Sequence, residues 1–139
     1  MATFQKFNQF VEDLAKGVHN LSTGQLKVAL TNTAPVAANS VYADLTSPLA
    51  TTNLSGATPF NVTTTSCEQT SGTLTLVLVD LTLTATGAVG PFRYVVLYND
   101  TPSSPADPLI GFWDYGSSVT LANTETFVID FAATTISLS

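Results

Sequence analysis

The sequence predicts a mainly β domain, a β-sandwich for which a jelly roll is one candidate form, with a single amphipathic α-helix at its N-terminus. Three observations predict it. Only residues 4–21 carry an apolar stripe at helical spacing. Almost every segment after Gly24 alternates apolar with polar residues, or clusters β-formers between turn residues. The alternation also changes phase once, at Val79, as a chain passing from one sheet to another would require.

In the first segment Phe4, Phe7, Val11, Leu14, Val18 and Leu21 recur at spacings of three and four, and Phe10 and Ala15 widen the stripe. Gln5, Lys6, Gln9, Glu12, Asp13 and Lys16 fill the opposite face. Thr3 is the expected N-cap, and Asn20, Ser22 and Gly24 the expected stop. The helix is expected outside or between the sheets, with Phe7, Val11, Leu14 and Val18 turned toward a sheet or a partner subunit. Leu26, Val28 and Leu30 alternate with Lys27 and Ala29 as a half-buried strand, opening a β region over residues 25–139.

From Asn32 to Pro59 the residues Pro35, Pro48, Pro59 and Gly56 predict long irregular connections, with at most a short strand near Val41 to Leu45. Asn61 to Gln69 and Thr73 to Ala85 flank Thr70, Ser71 and Gly72 as a hairpin. Within the second arm Leu74, Leu76 and Leu78 give way to Val79, Leu81 and Leu83, which a β-bulge or a crossing between two sheets explains. Phe92 to Tyr98, after Gly87, Gly90 and Pro91, is apolar on both faces except for Arg93, as in a central strand. Arg93 is expected to pair with a carboxylate or stack on a tyrosine. Thr101 to Pro108 reads as a proline-rich loop and Ile110 to Tyr115 as an aromatic strand. Val119 to Leu121 and Thr126 to Phe131 flank a turn at Asn123 and Thr124, and Ile136 and Leu138 close the chain. With no repeat and no boundary, residues 1–139 read as one domain.

Composition narrows the function. Only 10% of the 139 residues are charged, against about 25% in typical domains, and the net charge is −6. Lys6, Lys16, Lys27 and Arg93 form no cluster that would neutralise phosphates, so nucleic acid is not an expected partner. No apolar run approaches the roughly 20 residues of a membrane helix, and the N-terminus lacks the apolar stretch of a secretory signal. Cys67, alone, forms no internal disulfide and suits a reducing cytoplasm.

Catalytic groups are scarce. His19, the one histidine, reads as a helix-end cap, and Cys67 as an ordinary side chain of a threonine-rich strand. Asp100, Asp107 and Asp114 flank a proline-rich loop and are the one carboxylate set to weigh for Ca²⁺, but no EF-hand pattern is present. Glu125 and Asp114 are the one carboxylate pair to weigh for sugar hydrolysis, with a solvated turn the simpler reading of Glu125. Phe112, Trp113 and Tyr115 read as core or interface, with a carbohydrate platform as the sharper alternative. No catalytic, cofactor-binding or metal-binding residue is assigned, and the chain is not read as an enzyme.

From Gly90 the chain runs GPFRYVVLYNDTPSSPADPLIGFWDYGSSVTLANTETFVIDF, and residues 26–46 read LKVALTNTAPVAANSVYADLT. Together these segments resemble a group of small phage structural proteins encoded among head genes. The resemblance covers the helix, the first strand and turn, and the C-terminal third; residues 47–70 are not diagnostic. It implies a virion component, in first place a decoration (cement) protein on the outside of the capsid. Its partners would be the major capsid protein and copies of itself, with neither nucleic acid nor membrane involved. It would act on the virion surface after assembly in the host cytoplasm, and no catalytic residue or cofactor comes with the resemblance. The alternative is a fibre or receptor-binding module that holds host carbohydrate.

Overall fold

A computed structural model describes residues 3–131 and 135–138. The protein is mainly β, with antiparallel sheets and one short helix near the N-terminus. Strands β1 (Gln5–Lys6), β2 (Leu26–Thr31), β3 (Asn61–Val62), β7 (Val89–Asn99) and β8 (Leu109–Leu121) form a five-stranded sheet in the order β1-β8-β7-β2-β3. Strands β4 (Thr64–Thr70), β5 (Thr73–Leu78) and β10 (Ile136–Leu138) form a second sheet, in the order β10-β5-β4. Strands β6 (Leu81–Thr84) and β9 (Thr126–Ile129) pair as a third.

Burial explains the layering. Val28 and Leu30 of β2, Val95 and Leu97 of β7 and Ile110 of β8 share one core with Leu76, Leu78, Leu83, Ile129 and Ile136 from the smaller sheets. One face of the large sheet is therefore packed against both small sheets, a sandwich whose second layer is divided. A jelly roll would instead distribute eight strands over two sheets. The opposite face carries Ala29, Val96, Tyr98 and Phe112, and it too is covered, by Phe7, Leu45 and Tyr42. Strand β2 is thus buried on both sides, not half-buried as its alternation suggested. The reason is that Ala29 and Thr31, which alternate with the large apolar residues, are small enough to sit under a second cover.

The phase change at Val79 marks a crossing between sheets. Strand β5 ends at Leu78, Val79 is exposed, and β6 resumes at Leu81 paired with β9 instead of β4. The predicted hairpin is present, with Thr70 opposite Thr73. Its turn takes positive φ at Ser71 and Gly72, the backbone geometry of a tight two-residue connection.

The helix departs from expectation. Helix α1 spans Asn8–Ala15 only, not residues 4–21, and its N-cap is Phe7 with no side-chain cap, not Thr3. The apolar residues Phe4 and Phe7 flank a strand, because Gln5 and Lys6 pair with Phe112 and Gly111 of β8. At the other end Gly17 enters the left-handed region at φ 77°, and its N–H donates to Leu14 O while Val18 N–H donates to Asp13 O. This is a Schellman ending, about two turns earlier than Gly24, the glycine expected to stop the helix. The shorter helix buries Phe10 fully and leaves Val11 46% exposed, so Val11 does not face a sheet.

Replacing Phe10 by Ala is therefore expected to cost about 3–5 kcal/mol. Val11→Gln should stay within about 0.5 kcal/mol, as at an exposed site. Urea unfolding of the two variants checks both, and comparable losses would restore Val11 to the packed face.

Candidate functional site

A concave surface lies between β8 and β9, with Val95 of β7 at its base. It is a cleft of about 410 Å³ that runs from Val95 past Trp113 and Tyr115 to Phe127 and Asp130. Its position begins with Gly111. A Cβ on Gly111 would meet the Phe4 ring at 2.3 Å, so only glycine lets Phe4 come this close to β8. Phe4 then tilts against Trp113 at 5.2 Å between ring centres, and Trp113 meets Phe131 edge-on at 5.6 Å. Tyr115 packs on Phe127 at 5.3 Å, which is held in turn by the buried Phe92 ring at 5.0 Å. Contacts of this kind hold the rings beyond what burial alone contributes.

The expected cluster of Phe112, Trp113 and Tyr115 is split by this geometry. Successive strand residues point to opposite faces, so Phe112 lies on the far side against Phe7, at 5.3 Å, while Trp113 and Tyr115 line the cleft. Their actual companions are Phe127 and Phe131, which the sequence marked only as strand.

The acidic residues do not assemble as weighed. Asp114 accepts from Arg93 Nε at 2.7 Å and Nη2 at 3.0 Å, and from the Gly116 N–H at 2.8 Å. The Arg93 guanidinium holds the Asp114 carboxyl below the usual range. Arg93 also lies 5.5 Å over the Tyr94 ring, so both partners expected for it are found. Asp100 pairs instead with Lys27, at 3.3 Å. Burial, and then Asp100 beside it, push the Asp107 carboxyl up. Glu125 is spent on its own turn, where it accepts from the Ala122 N–H. Among the described residues no group of three His, Cys, Asp or Glu could hold a metal ion. None of the described helices is long and apolar enough to cross a membrane.

The two long loops meet at one end of the molecule. Val41 bridges to Pro108, Tyr42 N–H donates to Asp107 O at 2.9 Å, and Leu109 N–H donates to Ser40 O at 3.0 Å. The segment near Val41 is a 3₁₀ turn, Tyr42–Asp44, instead of a strand. Asp44 shapes it by accepting from the Ser40 and Val41 N–H groups, which hold its carboxyl low. Tyr42 and Tyr98 pack at 5.0 Å, and burial pushes the Tyr98 hydroxyl far above the ordinary phenol range. A second cleft of about 400 Å³ opens beside them, between Lys27, Tyr42, Ala50, Pro59 and Phe60.

Cys67 is half-buried in β4, where burial raises its thiol. His19 does not cap α1, which ends four residues earlier; it is buried in the core against Phe10. Asn99 Oδ1 accepts from the Thr101 N–H, which turns Asn99 Nδ2 toward His19 Nδ1 at 3.2 Å. Nδ1 therefore accepts, and the proton of the neutral ring belongs on Nε2, which has no hydrogen-bond partner among the described residues. No protein-family model, curated protein or solved structure matches the chain.

Burial lowers the His19 pKa, with Asp13 acting in the opposite direction. A depressed folded value means that the unfolded chain takes up the proton first as pH falls below about 6.5. The stability held by the neutral ring is thus present above that pH and lost on acidification. Melting temperatures from pH 7 to pH 5 should fall more steeply for the natural protein than for His19→Gln, and parallel curves would show that the ring titrates freely.

Proposed function

We propose that the chain is a structural protein of a tailed-phage virion, which binds the outside of the assembled capsid lattice and stabilises it. The observation that carries this reading is the joining of Ser40–Tyr42, within the loop Asn32–Pro59, to Asp107–Leu109 at the end of the loop Thr101–Pro108. The loops stand on a hydrogen-bonded sandwich with a buried core, and loops of this length on such a scaffold can present a broad contact surface without a catalytic centre. The resemblance of residues 26–46 and of the segment from Gly90 to phage head proteins supports the same reading.

Cement works by burying area across joints between subunits, and symmetry multiplies a modest contact over the whole shell. The partners are the major capsid protein and neighbouring copies of this chain. Only 10% of residues are charged, so attachment rests mainly on apolar packing and neutral hydrogen bonds.

Co-sedimentation with expanded, DNA-free capsid shells tests the proposal. The protein is expected in the pellet, with binding reduced less than about threefold between about 0.05 M and 0.5 M salt, because screening weakens exposed charge pairs and leaves apolar contacts intact. If it stays in the supernatant with intact heads and pellets with purified tails or host cell-wall glycan, the fibre or receptor-binding reading replaces this one.

A further inference from the structure

The cleft between β8 and β9 lies apart from the loop surface, and its chemistry is different. Its side-chain lining is aromatic and aliphatic, with Asp130 as the one charged residue. Tyr115 is 55% exposed and Val128 54%, so aromatic and apolar surface is left open to solvent along one side. From this combination we infer that the cleft receives an arginine side chain presented by a different protein.

A guanidinium is planar and weakly hydrated, stacks on aromatic faces, and directs a fork of donors at a carboxylate. The lining brings the exposed Tyr115 ring, with Trp113 and Phe127 beside it, together with the exposed Asp130. This chain already satisfies an arginine in that way, since Arg93 forks onto Asp114 and lies over the Tyr94 ring. A volume of about 410 Å³ accommodates such a side chain with accompanying water. The open side leaves room for the chain that carries the arginine, so the side chain enters from a protein surface.

The donor is a different protein on grounds of charge. Three of the four cations of this chain, Lys16, Lys27 and Arg93, are already paired with Glu12, Asp100 and Asp114. Two copies would also bring together surfaces of net charge −6 each. A sugar ring fits less well. Its several hydroxyls would find only the Asp130 carboxylate, the Tyr115 hydroxyl and the Trp113 indole N–H among the lining side chains.

Trp113 is the sole tryptophan of the chain, so its fluorescence and its indole N–H resonance report on the cleft alone. N-acetyl-arginine amide, its neutral isostere N-acetyl-citrulline amide, and N-acetylglucosamine are titrated into the full chain. The arginine probe is expected to shift the Trp113 signals saturably, with the citrulline probe at least about tenfold weaker, the margin a desolvated cation over aromatic faces supplies. Asp130→Asn should reduce the arginine probe to the citrulline level. Tyr115→Ala should weaken it with an unchanged far-ultraviolet circular dichroism spectrum. The proposal is overturned if the arginine probe gives no saturable shift, if citrulline binds as tightly, if Asp130→Asn leaves binding unchanged, or if N-acetylglucosamine saturates the site in its place. The result does not depend on the capsid reading, since no particle is present.

Discussion

The burial of β2 and β7 on both faces is the constraint from which the rest of the structure follows. These two strands pair along Leu26 to Thr31 with Asn99 to Tyr94, and they carry apolar side chains above and below the sheet. A sheet of this kind cannot leave either face in water, since each large apolar side chain adds about 1.5–3 kcal/mol when fully buried. Two covers are therefore required. The small sheets supply one; Phe7, Tyr42 and Leu45 supply the other. The N-terminal segment is drawn in by this demand, as Gln5 and Lys6 extend the sheet while Phe7 and Phe10 enter the two separate cores.

The division of the second layer has a consequence for recognition. Two sheets of three and two strands cover the large sheet less completely than one continuous sheet would, and the long strand β8 continues beyond the covered region. Trp113 and Tyr115 stand at that limit, where β9 supplies Phe127 as the far wall. The aromatic cleft and the loop surface thus have separate origins: one from incomplete coverage on the core side, the other from the connections that close over the opposite face. A protein poor in charge gains from such an arrangement, because it can make contacts through shape and ring faces where ion pairs are few.

Much of the fold was legible in the sequence. The hairpin at Ser71 and Gly72, the phase change at Val79 and the doubly apolar strand from Phe92 all correspond to observed elements, because period-two patterning and turn chemistry are local signals. The helix is shorter than its apolar stripe predicts because Phe4 and Phe7 fit a helical stripe and a strand edge equally well, and only pairing with β8 decides between them. Its end was visible in principle, since Lys16 and Gly17 form the ordinary left-handed stop. The separation of Phe112 from Trp113 was also available from strand alternation. The meeting of Tyr115 with Phe127, and of Val41 with Pro108, was not, because each joins elements that only the folded topology brings side by side.

Native-state hydrogen exchange tests the central constraint most directly, since amides that open only with the whole domain identify its cooperative core. If double burial of β2 and β7 holds the molecule together, the amides of Val28 to Leu30 and Val95 to Leu97 should be the slowest in the chain and exchange with the free energy of global unfolding. Those of β4 and β6 should exchange earlier, through local opening. Exchange from β2 and β7 that precedes exchange from β4 and β5 would contradict the account and move the centre of stability to the three-stranded sheet.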